Sequence, residues 1–220
     1  MRAAIIVFPG SNCDHDAYYV IQKILNKDVD FIWHKEGSLA NYDFILVPGG
    51  FSYGDYLRAG AIARFSPIME EVIQCAKKGI PVMGICNGFQ ILIESGLLPG
   101  ALINNKDVKF LSQNVTLKVA STNSIFTQDL AVGQKLDMPI AHRQGNFFAS
   151  DDVIKKLQDD DHIAFTYDNN PNGSMGNIAG IFNRNRNVLG MMPHPERAAE
   201  SILGSSDGLA IFESLVENMQ

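Results

Sequence analysis

Short, nearly unbroken apolar runs recur along the first half of the chain, at Ala3 to Phe8, Val29 to Trp33, Phe44 to Val47 and Pro81 to Ile85. Runs of that length without polar alternation suit strands buried on both faces. Between them the apolar positions return at helical spacing. Tyr18, Ile21, Ile24 and Leu25 share one side of Ala17 to Asn26, and Ile68 to Lys78 closes on Lys77-Lys78-Gly79. Basic residues followed by glycine suit the end of a helix. Strand and helix in alternation predict α/β architecture, an open doubly wound, mostly parallel sheet with helices on both faces.

From about residue 107 the pattern shifts to shorter alternating pieces, Val115 to Val119, Met138 to His142 and Ile163 to Tyr167, which predict appended antiparallel strands. A helix is expected at Asp151 to Leu157, opened by acidic residues that suit a helix N-terminus. Ile178 to Phe182 and Val188 to Met192 flank the polar turn Asn183 to Asn187 as a hairpin, and Asp207 to Asn218 reads as a closing helix. No linker, internal repeat or low-complexity stretch divides the chain, so one domain is expected over residues 1–220.

Charge and cysteine content narrow the partners and the compartment. Eighteen Lys plus Arg against 24 Asp plus Glu leave a net charge of -6. Such a surface repels a phosphate backbone and an anionic bilayer alike, so neither nucleic acid nor membrane is expected as a partner. Ala3 to Phe8 is shorter than a signal-peptide core and is stopped by Pro9-Gly10, which reads as a first strand. Three separated cysteines, Cys13, Cys75 and Cys86, with no secretion signal argue for a cytoplasmic protein without a disulfide framework.

One of the three has a distinctive setting. Gly84-Ile85-Cys86-Asn87-Gly88 follows a buried strand and precedes the apolar helix Phe89 to Glu94, as a nucleophile elbow requires. The sharp turn leaves no room for side chains two residues either side of the nucleophile, and glycines fill both places. The sulfur then lies at a helix N-terminus, where free N–H groups favour an anion. Cys75 falls within a predicted helix and reads as core, while Cys13, after a loop at the sheet edge, stays open.

A thiol nucleophile needs a base, and the base an orienting group. His194 lies in Met192-Pro193-His194-Pro195-Glu196, directly after an apolar strand. Prolines on both sides predict a stiff, extended path, which would project His194 and Glu196 to the same side. His15, His34 and His162 sit in polar settings and read as loop histidines, whereas His142 opens the polar loop Arg143-Gln144-Gly145 and ranks second as a base. Val47-Pro48-Gly49-Gly50 ends another strand at the carboxyl edge, where open α/β sheets bind ligands. Gly50 and Asn87 N–H groups could together form an oxyanion hole, whose single donors are worth about 3–4 kcal/mol. No metal site is expected.

These residues together resemble the class I, or triad, glutamine amidotransferases. FPGSNCDHD at Phe8 to Asp16, GGFSYGDYLRAGAIAR at Gly49 to Arg64, AHRQGNFF at Ala141 to Phe148 and MMPHPER at Met191 to Arg197 are similar to one branch of that family, the small separate-chain glutaminase subunits of phosphoribosylformylglycinamidine synthases. The resemblance implies the flavodoxin-like fold of the family. It implies that Cys86 attacks the glutamine carboxamide, that His194 moves the proton and that Glu196 orients it. Gly50 and Asn87 would hold the oxyanion, Gln90 would face the substrate, and His142, Arg143 and Gln144 would meet its amino acid end. It further implies a large synthetase subunit that binds ATP and Mg and amidates formylglycinamide ribonucleotide in purine biosynthesis, with a small accessory subunit. No cofactor is expected in this chain, which lacks GxxxxGK[ST]; Phe8 to Asn12 is too weak a phosphate motif. Tyr53 to Arg64 is the expected docking segment.

Three rival readings make different demands. Glutaminase service to another synthetase is disfavoured by the Gly49 to Arg64 match. A related cysteine hydrolase or peptidase would place His directly after the nucleophile, where this chain has Asn87. A flavodoxin-like binding module would give Cys86 no special reactivity.

Overall fold

The computed structural model describes residues 1–219. The four apolar runs fold as β1 (Arg2–Val7), β2 (Asp28–Trp33), β3 (Phe44–Val47) and β4 (Val82–Ile85), and the later pieces as β6 (Leu111–Val119), β7 (Lys135–His142), β9 (Ile163–Tyr167), β10 (Ile178–Phe182) and β11 (Val188–Met191). All nine join one sheet in the order β2-β1-β3-β4-β11-β10-β9-β6-β7. From β2 to β11 neighbours run parallel, and from β11 to β7 antiparallel. The architecture is the expected mixed α/β sheet with antiparallel strands added along one side.

Every residue of β3, β4, β10 and β11 is buried, which explains why these strands read as unbroken apolar runs. β2 departs from that expectation. It is the edge strand, its burial alternates, and Phe31 and Trp33 are exposed. The Phe31 ring instead stacks on His15 and Tyr18. A ribbon of β5 (Ala101–Ile103) with β8 (Asn146–Phe148) lies outside the main sheet and was not foreseen, each strand being too short to show a pattern.

The helices are α1 (Asp14–Tyr19), α2 (Ile68–Lys77), α3 (Asn87–Glu94), α4 (Asp151–Asp159) and α5 (Leu209–Asn218). α1 starts earlier than its apolar spacing suggests and widens into a π-helical turn over Val20–Ile24, with Leu25 N–H donating to the Val20 carbonyl. Ser150 caps α4 by accepting from the Val153 N–H. No described helix is long and apolar enough to cross a membrane.

Because β1, β3, β4 and β11 are parallel and adjacent, the loops after them open at one edge of the sheet. Those loops carry Cys13, Gly50, Cys86 and His194, drawn together from distant parts of the chain.

Candidate active site

Cys86 stands between β4 and α3 with φ 50° and ψ -105°, a left-handed conformation that costs a non-glycine residue on the order of 1–3 kcal/mol. The surroundings enforce it. A methyl on Gly88 would lie 1.9 Å from the Val47 carbonyl oxygen, and one on Gly84 would lie 2.8 Å from the Gly88 backbone. Gly190, opposite Gly84 in the β4–β11 register, would place a methyl 2.2 Å from the Phe89 ring. Helix α3 therefore lies flush on three strands, β3, β4 and β11, and only glycines permit that approach.

The β4–β11 register also delivers His194, the expected base. Ile85 faces Met191, and Cys86 N–H donates to the Met191 carbonyl at 2.8 Å, so the chain leaving β11 passes beside Cys86. His194 N–H donates to the Pro139 carbonyl at 2.9 Å, tying that chain to β7. His194 Nδ1 and Glu196 Oε1 are 2.6 Å apart, and both residues are buried. Their meeting has a different cause from the extended path expected. Pro195–Arg197 forms a 3-10 turn, with Arg197 N–H donating to the His194 carbonyl, and proline suits its first position. The turn brings the carboxylate under the ring.

Burial pulls the His194 imidazolium down, but the Glu196 charge and the Cys86 and Cys13 sulfurs outweigh it and hold the group well above its ordinary range. Nε2 is buried with no conventional hydrogen-bond partner. The Cys86 thiol is directed at the Ala141 carbonyl, 3.6 Å away.

Cys13 proves to be a neighbour of this group. It is buried at the start of α1, its Sγ donates to Asn12 Oδ1 at 3.1 Å, and burial pushes its thiol up. Cys13, His194 and Glu196 each offer a ligand atom within 4.8 Å of the others. With Glu196 already bonded to Nδ1, the set is an acid–base pair packed on a thiol. Cys75 is buried in α2, as its helical position suggested.

Gly50 has φ 146°, and a methyl there would lie 2.7 Å from the Gly10 carbonyl oxygen, so the position admits only glycine. The Phe8 to Asn12 loop buttresses this turn. Phe51 N–H donates to the Gly10 carbonyl, and the Asn12 and Cys13 N–H groups donate to the Gly49 carbonyl. Asn87 is the first residue of α3, where backbone N–H groups lack a carbonyl in the preceding turn. Its side chain accepts from Ser52 N–H at 3.0 Å and donates to Gln90 Oε1 at 2.9 Å, fastening the Gly50 loop to the helix.

A cavity of about 460 Å³ opens over the nucleophile, lined in part by Gly50, Cys86, Gln90, His142, Arg143 and Gln144. The elements thus bring all the expected substrate-facing residues to one space. A hollow of about 480 Å³ at the amino ends of β1 and β2 holds no nucleophile. Gln90 Nε2 donates to the Gln144 carbonyl at 2.6 Å, and Gln144 Oε1 accepts from Ala59 N–H at 3.0 Å, so these two amides brace the walls. His142 is buried, with Nδ1 3.0 Å from Asn105 Oδ1. Burial, then the His194 charge, lower its basicity to about 4. His142 therefore stays neutral at pH 7, and with Asn105 where an orienting carboxylate would stand, the buried carboxylate serves His194 instead.

The sequence pattern of the CobB/CobQ-like glutamine amidotransferase domain matches residues 1–208. The chain belongs to that family. The amidotransferase is 51% identical over 220 residues to the phosphoribosylformylglycinamidine synthase subunits PurQ of Trichormus variabilis and of a Nostoc species, covering all of this chain and 98% of each relative. It superimposes with a TM-score of 0.93 and 42% identity on a chain of PurLQS from Thermotoga maritima, covering 100% and 99% of the two chains. A glutamine amidotransferase from Thermotoga maritima shares the fold alone, at a TM-score of 0.64 and 18% identity.

Several features of the amidotransferase site escape sequence reasoning. Asn105 carries no motif, Asp55 lies within the Gly49 to Arg64 stretch but was given no role there, and Gly190 reads as an ordinary strand residue. His34 and His162 are buried instead of lying in open loops; His34 Nδ1 bonds Ser66 Oγ and Tyr53 OH, each at 3.0 Å. His15 is exposed, as expected.

Proposed function

We propose that this amidotransferase is the glutaminase subunit of a phosphoribosylformylglycinamidine synthase. The buried Cys86, His194 and Glu196 group, with Cys86 lining a polar cavity, carries the reading. Cys86 Sγ attacks the carboxamide carbon of glutamine, and the Gly50 and Asn87 N–H groups receive the oxyanion. His194 takes the thiol proton and delivers it to the departing nitrogen, so ammonia leaves as the C–N bond breaks. Water, deprotonated by His194, then hydrolyses the thioester to glutamate and restores the thiol. Glu196 fixes the ring and stabilises the imidazolium. Gln90 shapes the wall, and His142, Arg143 and Gln144 border the amino acid end.

Ammonia set free in water at neutral pH is largely protonated and no longer nucleophilic, so the product is useful only when passed directly to a second site. That site belongs to a large synthetase subunit that uses ATP and Mg to amidate formylglycinamide ribonucleotide, bridged by a small accessory subunit. A partner is favoured by Tyr56, Leu57 and Phe65, which are 71%, 81% and 74% exposed in and directly after the expected docking segment. Three free, buried cysteines agree with a cytoplasmic location.

The test is Cys86→Ala assayed with the synthetase subunits. Glutamine-dependent synthesis should be lost while ammonia-dependent synthesis stays intact. Retained use of glutamine would overturn the mechanism.

A further inference from the structure

The reacting end of a bound glutamine is accounted for at Cys86, but its zwitterionic head also has to lie in the same cavity. Arg143 lines that cavity as a cation and Asp55 as a carboxylate. Asp55 has no role in the chemistry above. It is half-buried, and burial alone pushes its carboxyl up to about 6, with no cation contributing. The basic residue next along the chain, Arg58, is taken by Glu94 through two hydrogen bonds of 2.7 and 2.6 Å. Among the described residues Asp55 has one side-chain bond, a long one that it accepts from Asn87 Nδ2 at 3.4 Å.

The backbone presents this carboxylate at a cost. Tyr53, Asp55 and Leu57 adopt φ of 54°, 54° and 70°, left-handed values that ordinary residues avoid. The coil stays in place because Tyr53 OH is anchored to His34 and Ser66, and because Ser52 N–H is held by Asn87. This strained loop thus turns into the cavity a carboxylate held by one long hydrogen bond and by no cation.

We propose that Asp55 binds the α-ammonium group of glutamine, while Arg143 meets the α-carboxylate across the same cavity. The inference rests on the glutaminase reading and adds a specificity residue to it. An arriving ammonium supplies the charge that the half-buried carboxylate lacks, and a charge-assisted hydrogen bond forms inside the cavity. Through Asn87 the same residue touches the oxyanion turn, so head recognition and the reacting end share one loop.

The test compares glutamine with 4-carbamoylbutyrate, which keeps the carboxamide and the acid but lacks the α-amino group. The full chain is assayed with its synthetase partner as wild type, Asp55→Asn and Asp55→Glu. Wild type should prefer glutamine, and Asp55→Asn should raise the KM for glutamine by roughly 10- to 100-fold while moving that for 4-carbamoylbutyrate by less than about twofold. Asp55→Glu should recover part of the loss. Binding of the two compounds to Cys86→Ala, with and without Asp55→Asn, should show the same contrast free of turnover. An unchanged preference in Asp55→Asn would overturn the assignment. An equal fall in kcat for both substrates would overturn it too, reducing Asp55 to a support for Asn87. Absence of glutamine turnover in the wild type would instead remove the glutaminase reading itself.

Discussion

Nδ1 of His194 lies 2.6 Å from Oε1 of Glu196, and neither side chain reaches solvent. In so dry a site the carboxylate sets the charge of the ring. Glu196→Gln keeps the shape and removes the charge that raises the imidazolium. The group would then lose its proton at lower pH. Because the imidazolium must protonate the departing nitrogen, the alkaline limb of the glutaminase profile should move to lower pH, and kcat should fall about 10²–10⁴-fold. A pH–rate profile of the variant in complex checks both, and an unshifted limb would count against the assigned role.

The elbow makes a mechanical prediction. A methyl at Gly88 would meet the Val47 carbonyl carbon at 2.7 Å and its oxygen at 1.9 Å, both fixed in the sheet. Gly88→Ala should therefore cost roughly 2–4 kcal/mol in urea unfolding and displace Cys86 from its strained conformation. A variant as stable and active as its parent would show that the helix can lift off β3 without penalty.

His142 links the site to acid stability. Its folded value, about 4, lies below the ordinary 6.5, so the unfolded chain binds the proton more readily. The sign follows from linkage: stability from this residue is complete above about pH 6.5, falls as pH drops towards 4, and changes no further below that. The full effect is up to roughly 3 kcal/mol. Urea midpoints between pH 7 and 4 should fall less steeply in His142→Asn, so the gap between variant and parent narrows with acid. Parallel curves would refute the prediction.

Much of this site was legible because its chemistry coincides with chain punctuation. The elbow glycines, the paired prolines around His194 and the glycines after β3 mark strand ends, and strand ends at one sheet edge make the site. The parts that escaped depend on contacts across the fold. Cys13 meets His194 only because β1, β3, β4 and β11 stand side by side in the sheet. Asn105 holds His142 across a separate loop, and Asp55 faces the cavity only through left-handed backbone that local preferences oppose. The edge position of β2 was hidden because its alternating burial is not matched by alternating polarity: Phe31 and Trp33 keep an apolar run on a half-exposed strand.

The pairing of Ile85 with Met191 also governs when the enzyme can first act. Cys86 leaves the ribosome long before His194, and the two meet only after β11 has inserted between β4 and β10. In the proposed mechanism the thiol has no proton carrier until then, so a chain cut before β11 is expected to lack glutaminase activity. Completion of the sheet thus comes before activity, since the last central strand in the chain is also the one that sets the proposed base beside the proposed nucleophile.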